Sequence, residues 1–174
     1  MEASLKVENS PERRRRAVLS LPSDKEILVV RDFKAPKAWV FDVWARPDWV
    51  RRWWGCRTHE MTRCELDFRV GGEWRFGTRT PEDPTMEHVL SGEYREIARA
   101  DRIVFTERYE PIPGSDHLVT ITFDERQGIT TMTMHIAHTS AFMRDGHLNS
   151  GMESGLQESL ERIDELLDAI VPAS

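Results

Sequence analysis

Cysteine is scarce in this sequence, which has only Cys56 and Cys64 among 174 residues. Two thiols in a chain of this length do not make the disulfide framework that is typical of small secreted domains. The sequence also lacks an apolar run near the roughly 20 residues that a membrane helix needs. Its first residues lack the basic, apolar and small-residue segments of an export signal. We therefore expect free thiols, no membrane partner and a cytoplasmic location.

An excess of basic residues is missing as well, because 24 Lys and Arg stand against 30 Asp and Glu, for a net charge of −6. Nucleic-acid binding requires a concentrated basic face, so we expect no nucleic-acid partner. The one basic run, Arg13–Arg16, lies in a segment without a sustained hydrophobic period. This pattern predicts a mobile N-terminal tail at residues 1–24, followed by a single domain at residues 25–171.

Patterns of metal ligands are weak in this sequence. His135 and His138 are three positions apart on a predicted strand, which places them on opposite faces, where they cannot share one ion. Cys56, His59 and Cys64 supply three ligands without an obvious fourth. We therefore expect no metal and no other cofactor.

Tryptophan is concentrated in the segment WARPDWVRRWWGC, residues 44–56, which holds four of the six tryptophans. A β-branched run ending at Phe33 predicts a strand before it, and the apolar spacing predicts two short helices, the first ending near Trp44. We expect Trp53 or Trp54 to close one end of the core. Trp49 is the one of the four that we expect to be exposed.

The remainder of the chain predicts strands and then one helix. Alternating segments at residues 58–68, 73–76, 89–97, 102–109, 117–124 and 129–137 predict strands, and their short connections favour an antiparallel meander. Residues 150–153 have the spacing of a capping box. From near Gly151, apolar residues recur at spacings of three and four and predict a long C-terminal helix. The fold class is therefore α+β, with about six to seven strands wrapped on that helix and two short helices after the first strand.

Four blocks of the sequence resemble the bacterial homologues of the C-terminal domain of the Hsp90 ATPase activator, in the START-like SRPBCC superfamily. The blocks are WARPDWVRRWWG, FRVGGEWRF, SGEYREI with IVFTE, and GMESG running into LERIDEL. The resemblance covers residues 25–170 and implies the helix-grip fold, in which a curved sheet wraps a long helix and often leaves a cavity. Since the family varies in use, the resemblance implies a fold and not a reaction.

Strand alternation nominates the lining of such a cavity, and we expect it to bind a small hydrophobic molecule. The predicted ligand-binding residues are Trp53, Trp54, Trp74, Phe76, Phe105, Ile121, Met132, Met134, Met152 and Leu156.

Other functions stay open at this stage. The resemblance implies contact with a chaperone as one alternative, and the superfamily's cyclases imply an enzyme as another. Polar residues that an enzyme of this kind could use as acid or base are His59, Glu73, Glu93, Tyr94 and Glu107. Alternation predicts that Glu73 and Glu93 point to solvent. A homodimer is a further possible assembly, through an edge strand and Trp49.

Overall fold

The computed structural model of the protein describes residues 10–173. In that part of the chain eight strands and four helices are formed. The elements in chain order are β1 (Val18–Ser20), β2 (Glu26–Phe33), α1 (Lys37–Ala45), α2 (Pro47–Trp53), β3 (Glu60–Leu66), β4 (Glu73–Arg79), β5 (His88–Ala98), β6 (Arg102–Tyr109), β7 (His117–Arg126), β8 (Ile129–His138), α3 (Ala141–Asn149) and α4 (Met152–Ile170).

The strands form one open antiparallel sheet in the order β1-β2-β8-β7-β6-β5-β4-β3. Strands β3 to β8 follow as the predicted meander. Strand β2 precedes the first two helices in the chain and pairs with β8, from Glu26 opposite Ala137 to Phe33 opposite Thr130. The predicted α+β class and long C-terminal helix are confirmed. The predicted six to seven strands are too few, because β1 forms an additional edge strand.

Strand β1 lies in the segment that the sequence analysis assigned to a mobile tail, and the described part of that segment is packed on the domain. Asp32 of β2 is buried, and the Arg13 guanidinium lies 3.3 Å from its carboxylate. Ala17 is also buried, and its backbone N–H and C=O both bond to the side-chain amide of Gln157 at 2.8 Å. The basic run predicts a mobile tail because the sequence alone does not reveal a buried carboxylate for it to pair with. Residues 1–9 of the predicted tail lie outside the described residues.

Helix α4 lies against the sheet with the apolar stripe that the sequence predicts. Leu160, Ile163 and Leu167 are buried, whereas Leu156 nearer the start of the helix is only half-buried. The predicted capping box is wrong, because the helix begins after Gly151 in the left-handed region at φ +82° without a side-chain cap. The Ser150 hydroxyl instead donates to the His147 carbonyl at the end of α3.

Helix α3 was not predicted, since it has no buried residue and therefore no apolar stripe. The Ser140 hydroxyl caps it by accepting a hydrogen bond from the Met143 N–H at 3.2 Å. No helix within residues 10–173 is long and apolar enough to span a membrane.

Candidate functional site

A cavity of about 490 Å³ lies between the inner face of the sheet and the first turns of α4. Strands β5 to β8 supply one wall, and the end of α2 with the following loop supplies another. Most of the side chains that line it are apolar, and polar groups are confined to a few positions. The side chains that define the walls are Trp54, Leu90, Phe105, Val119, Met134, Ile136, Met152 and Leu156.

An aromatic end closes one side of this cavity, and we define it as Trp44, Trp53, Trp54, Trp74 and Phe76. The Trp53 ring is buried, and its Nε1–H donates to the Val43 carbonyl at 2.8 Å. Ring centres are 4.5 Å apart for Trp44 and Trp53 and 4.8 Å apart for Trp54 and Phe76, in edge-to-face arrangements. Such contacts add to the stabilisation from apolar burial, so this end is a packed wall.

The loop after α2 is fixed to α4 by polar contacts. The buried Ser159 hydroxyl accepts a hydrogen bond from the Gly55 N–H at 3.1 Å. The Arg162 guanidinium donates to the carbonyls of Trp54 and Gly55 at 3.2 and 2.9 Å. Gly55 has φ +79°, which favours glycine because a side chain would be strained there. These bonds hold Trp54 at the cavity wall.

A polar end closes the opposite side, and we define it as Glu107, His117, His138 and His147. Glu107, His117 and His138 are neighbours across β6, β7 and β8, and His147 reaches them from α3. His117 Nε2 lies 2.9 Å from Glu107 Oε1, and its Nδ1 lies 3.0 Å from the Ser115 carbonyl oxygen. His138 Nε2 and His147 Nδ1 are 3.2 Å apart. Glu107 and His147 line the cavity.

Burial and the neighbouring charges set the ionisation of the polar end. Burial alone would raise the pKa of Glu107, but the hydrogen bond and positive charge of His117 outweigh it and lower this pKa. Burial opposes protonation of His117 as well, and the Glu107 carboxylate reverses this and raises the His117 pKa. Burial, followed by the charges of His117 and His147, lowers the pKa of His138 to about 4. Burial also lowers the His147 pKa. These directions favour a carboxylate on Glu107 paired with a protonated His117, beside neutral imidazoles on His138 and His147.

Comparison with known proteins places the chain in a family. A profile described as "Activator of Hsp90 ATPase homolog 1-like protein" matches residues 34–168. The chain belongs to this family. The match begins just after β2 and ends within α4, so it includes both ends of the cavity. No curated protein sequence gave a significant match.

Solved structures share the fold of this AHSA1-family chain. A crystal structure of a protein from Rhodobacter sphaeroides superposes with a TM-score of 0.82 at 22% identity, covering 89% of this chain and 99% of that one. A Mycobacterium smegmatis protein gives 0.76 at 22% identity, with coverages of 88% and 98%. A Nitrosomonas europaea protein gives 0.75 at 20%, with 86% and 97%. Identities this low establish the helix-grip fold alone.

The structure places the ligand-binding residues predicted for this AHSA1-family chain at three depths. Those at the cavity wall are Trp53, Trp54, Phe105, Met134, Met152 and Leu156. Trp74 and Phe76 lie one layer deeper, against a residual space of about 20 Å³. Ile121 and Met132 are fully buried in the core, with no exposed surface. Whether any of these side chains contacts a ligand stays a prediction.

The prediction that Trp49 is exposed is wrong, because this side chain is half-buried and packs on Trp39, with ring centres 6.2 Å apart. The Arg46 guanidinium lies 4.1 Å from its ring centre. Of the polar residues considered for catalysis, Glu107 and His59 line the cavity. Glu73 is exposed and lies opposite Glu93 in the pairing of β4 with β5.

Metal ligands lie together at a place that the sequence analysis did not indicate. Among the described residues the one group of potential ligands that lie close enough to hold an ion is His117, His138 and His147. Cys56, His59 and Cys64 do not form such a group, and burial raises the pKa of both thiols. The signal that could have found the histidines is the hairpin register, which sets His117 opposite His138.

Proposed function

We propose that this protein binds a small, mainly apolar molecule in the cavity between the sheet and α4. The observation that supports this most is the cavity itself, at about 490 Å³ with a largely apolar lining. Sites for small molecules commonly occupy about 300–1,000 Å³ and combine apolar walls with a few polar anchors. A core that served stability alone would gain by filling a space of this size, because empty volume forfeits packing contacts.

The two ends of the cavity define the chemistry of the proposed ligand. An aromatic or branched aliphatic body fits the wall made by Trp54, Phe105 and Met134. One polar group on that body would lie near Glu107 and His147, where it could exchange a hydrogen bond with a buried side chain. Since Glu107 is held as a carboxylate, a hydroxyl or other donor fits that position better than an acid.

The test is binding of Nile red and its displacement by fatty acids, aromatic compounds and polyketide-like compounds. We expect saturable binding at one site, a rise in melting temperature with bound compound, and quenching of tryptophan fluorescence because Trp54 lines the cavity. Leu156→Trp places a larger ring in the cavity and should weaken binding at least about tenfold, or about 1.4 kcal/mol.

Leu118→Trp is the matched control, because Leu118 is 41% exposed and lies on the outer face of β7. It introduces the same side chain without entering the cavity, so binding should match that of the natural protein. Equal affinity for the two tryptophan variants, or no saturable binding of any compound, would contradict the proposal.

Catalysis is a second candidate, favoured by one observation. Glu107 is a hydrogen-bonded carboxylate at the cavity wall, where it could accept a proton from a bound substrate. A cyclase- or hydrolase-like activity predicts turnover of an aryl ester or a poly-β-ketone, with the rate lowered by Glu107→Gln while Nile red still binds. Equal rates for the two proteins would remove Glu107 from any such role. A chaperone partner and a homodimer stay predictions without a specific observation to favour them.

A further inference from the structure

Three histidines converge from three elements at the polar end. His117 is on β7, His138 is on β8 and His147 is on α3, and one ring nitrogen of each lies within 4.8 Å of the others. Their ring centres are 4.6, 5.1 and 5.1 Å apart. Three imidazoles bound to one tetrahedral ion through bonds of about 2.0–2.1 Å place their ring centres about 5 Å apart. The rings are therefore spaced as a shared ion requires.

Hydrogen bonds distinguish the two ring nitrogens of His117. The Ser115 carbonyl oxygen can only accept, so the Nδ1 of His117 that lies 3.0 Å from it carries a hydrogen. Nε2 is then the nitrogen that would bind an ion, and binding there would release its hydrogen and replace its 2.9 Å hydrogen bond to Glu107. A backbone carbonyl that holds the other nitrogen of a ligating histidine is the usual outer support of a metal site. Glu107, 2.9 Å from Nε2, provides a negative charge beside that position.

We propose that His117, His138 and His147 bind one divalent transition-metal ion, of which Zn²⁺ is the best fit. Imidazole nitrogens suit zinc, copper and nickel, whereas magnesium and calcium prefer oxygen ligands. Three protein ligands leave the fourth position of a tetrahedral ion open. The three histidines adjoin the cavity, because His147 and the neighbouring Glu107 both line it. A water molecule or the polar group of a cavity ligand would complete the coordination.

The ion would also attach α3 to the sheet. This helix has no buried residue, and its Phe142 is 83% exposed. The Arg144 guanidinium joins it to the Ser23 carbonyl at 2.8 Å, and His147 joins it to His138. An ion shared by all three histidines would therefore raise the melting temperature of the whole protein, since it binds only the folded arrangement.

The test uses the full chain without a polyhistidine tag, stripped of metal by a chelator and titrated with Zn²⁺ by calorimetry. We expect one equivalent to bind, with a rise in melting temperature. His147→Gln, on the exposed helix, should fold normally and weaken Zn²⁺ binding at least about tenfold. His138→Gln should weaken it at least as much.

His135→Gln is the matched control, since His135 is on β8 only three positions from His138 and contacts Glu26 on the other face. Its Zn²⁺ affinity should equal that of the natural protein. Co²⁺ provides a measurement that needs no variant, because a tetrahedral Co²⁺ site with imidazole ligands absorbs strongly in the visible range. Absence of saturable binding at one equivalent, equal weakening by His135→Gln and His147→Gln, or a weak octahedral Co²⁺ spectrum would each overturn the proposal. These readouts need no apolar ligand, so failure of the metal site and failure of Nile red binding are separate results.

Discussion

The aromatic end and the polar end of the cavity are built on the same sheet but are stabilised in different ways. At the aromatic end, Trp44, Trp53 and Trp54 come from a short stretch of the chain and pack by shape on the two rings of β4. At the polar end, Glu107, His117, His138 and His147 come from four elements and are held by hydrogen bonds. Apolar packing tolerates many residue combinations, whereas a buried polar group without its partner costs about 1–3 kcal/mol. The polar end should therefore tolerate fewer residue substitutions than the aromatic end does.

Replacing a buried ring at the aromatic end should have the largest effect. Trp53→Ala removes a side chain that is 2% exposed together with its hydrogen bond to Val43, so we expect a loss of about 3–5 kcal/mol in the free energy of unfolding. Urea denaturation measures this loss. Trp49→Ala, at the half-buried neighbour, should cost clearly less. Equal losses would mean that the aromatic end is not a separate packed unit.

Removing the carboxylate at the polar end should have the next largest effect. Glu107→Gln keeps the size of the side chain but deletes the charge that pairs with His117, and we expect a loss of about 2 kcal/mol in unfolding free energy at neutral pH, in metal-free protein. Glu93→Gln is the control, because Glu93 pairs with Arg95 near the surface and should cost less than about 0.5 kcal/mol. A Glu107→Gln protein as stable as the control would show that the two ends do not differ in this way.

Destabilising α3 should make the polar end more mobile, because His147 lies on this helix, without substituting any of the four residues of that end. Ser140→Ala removes the hydroxyl that caps the helix, and the expected loss is about 1 kcal/mol. Because α3 has no buried residue, the loss should appear as faster hydrogen exchange confined to residues 141–149. Faster exchange at Trp53 as well would show that the two ends are coupled.

A charge pair on the outer face of the sheet should show the smallest effect. The hydrogen bond from Arg75, 2.7 Å from Glu110, outweighs burial and lowers the pKa of Glu110 to about 2. Because the folded pKa lies below the ordinary value of 4.5, this pair stabilises the protein above that pH. The contribution is lost as the pH falls toward 2. Glu110→Gln should therefore cost less than about 1 kcal/mol at pH 7, and this cost should shrink as the pH falls below 4.5 and through about 2, measured by thermal unfolding. A cost that persists at low pH would contradict this assignment.

Most of the fold and the aromatic end could be predicted from the sequence, because alternation and helical spacing are local signals. Phe105, Ile121 and Met134 lie on the inner face of the sheet as expected. The same alternation, continued by two positions on each strand, leads from Phe105 to Glu107 and from Ile136 to His138. Because the predicted ligand-binding residues follow apolar positions only, they stop before His138, and Glu107 enters the prediction only as a possible acid or base.

The rest of the site depends on contacts that no local pattern encodes. His147 lies on a helix without an apolar stripe, so nothing in the sequence indicated that the helix exists or where it packs. Arg13 meets Asp32 across 19 positions of chain, and the charge of each appears unremarkable until the fold brings the pair together. Two predictions rest on local sequence patterns alone. One places Arg13–Arg16 in a mobile tail, and the other places His135 and His138 on opposite faces of a strand. Only the second of these is consistent with the structure, which has His135 contacting Glu26 on the other face.

The pairing of β2 with β8 has a consequence for synthesis on the ribosome. Each pair of neighbouring strands from β3 to β8 can form soon after its residues emerge, whereas β2 has only the three residues of β1 to pair with until β8 emerges about 100 residues later, with Phe33 opposite Thr130. Until then Ile27, Val29 and Phe33 lack most of the core that buries them. The nascent chain therefore exposes apolar residues of β2 until β8 has emerged, and α4, which follows β8 in the chain, completes the core after that.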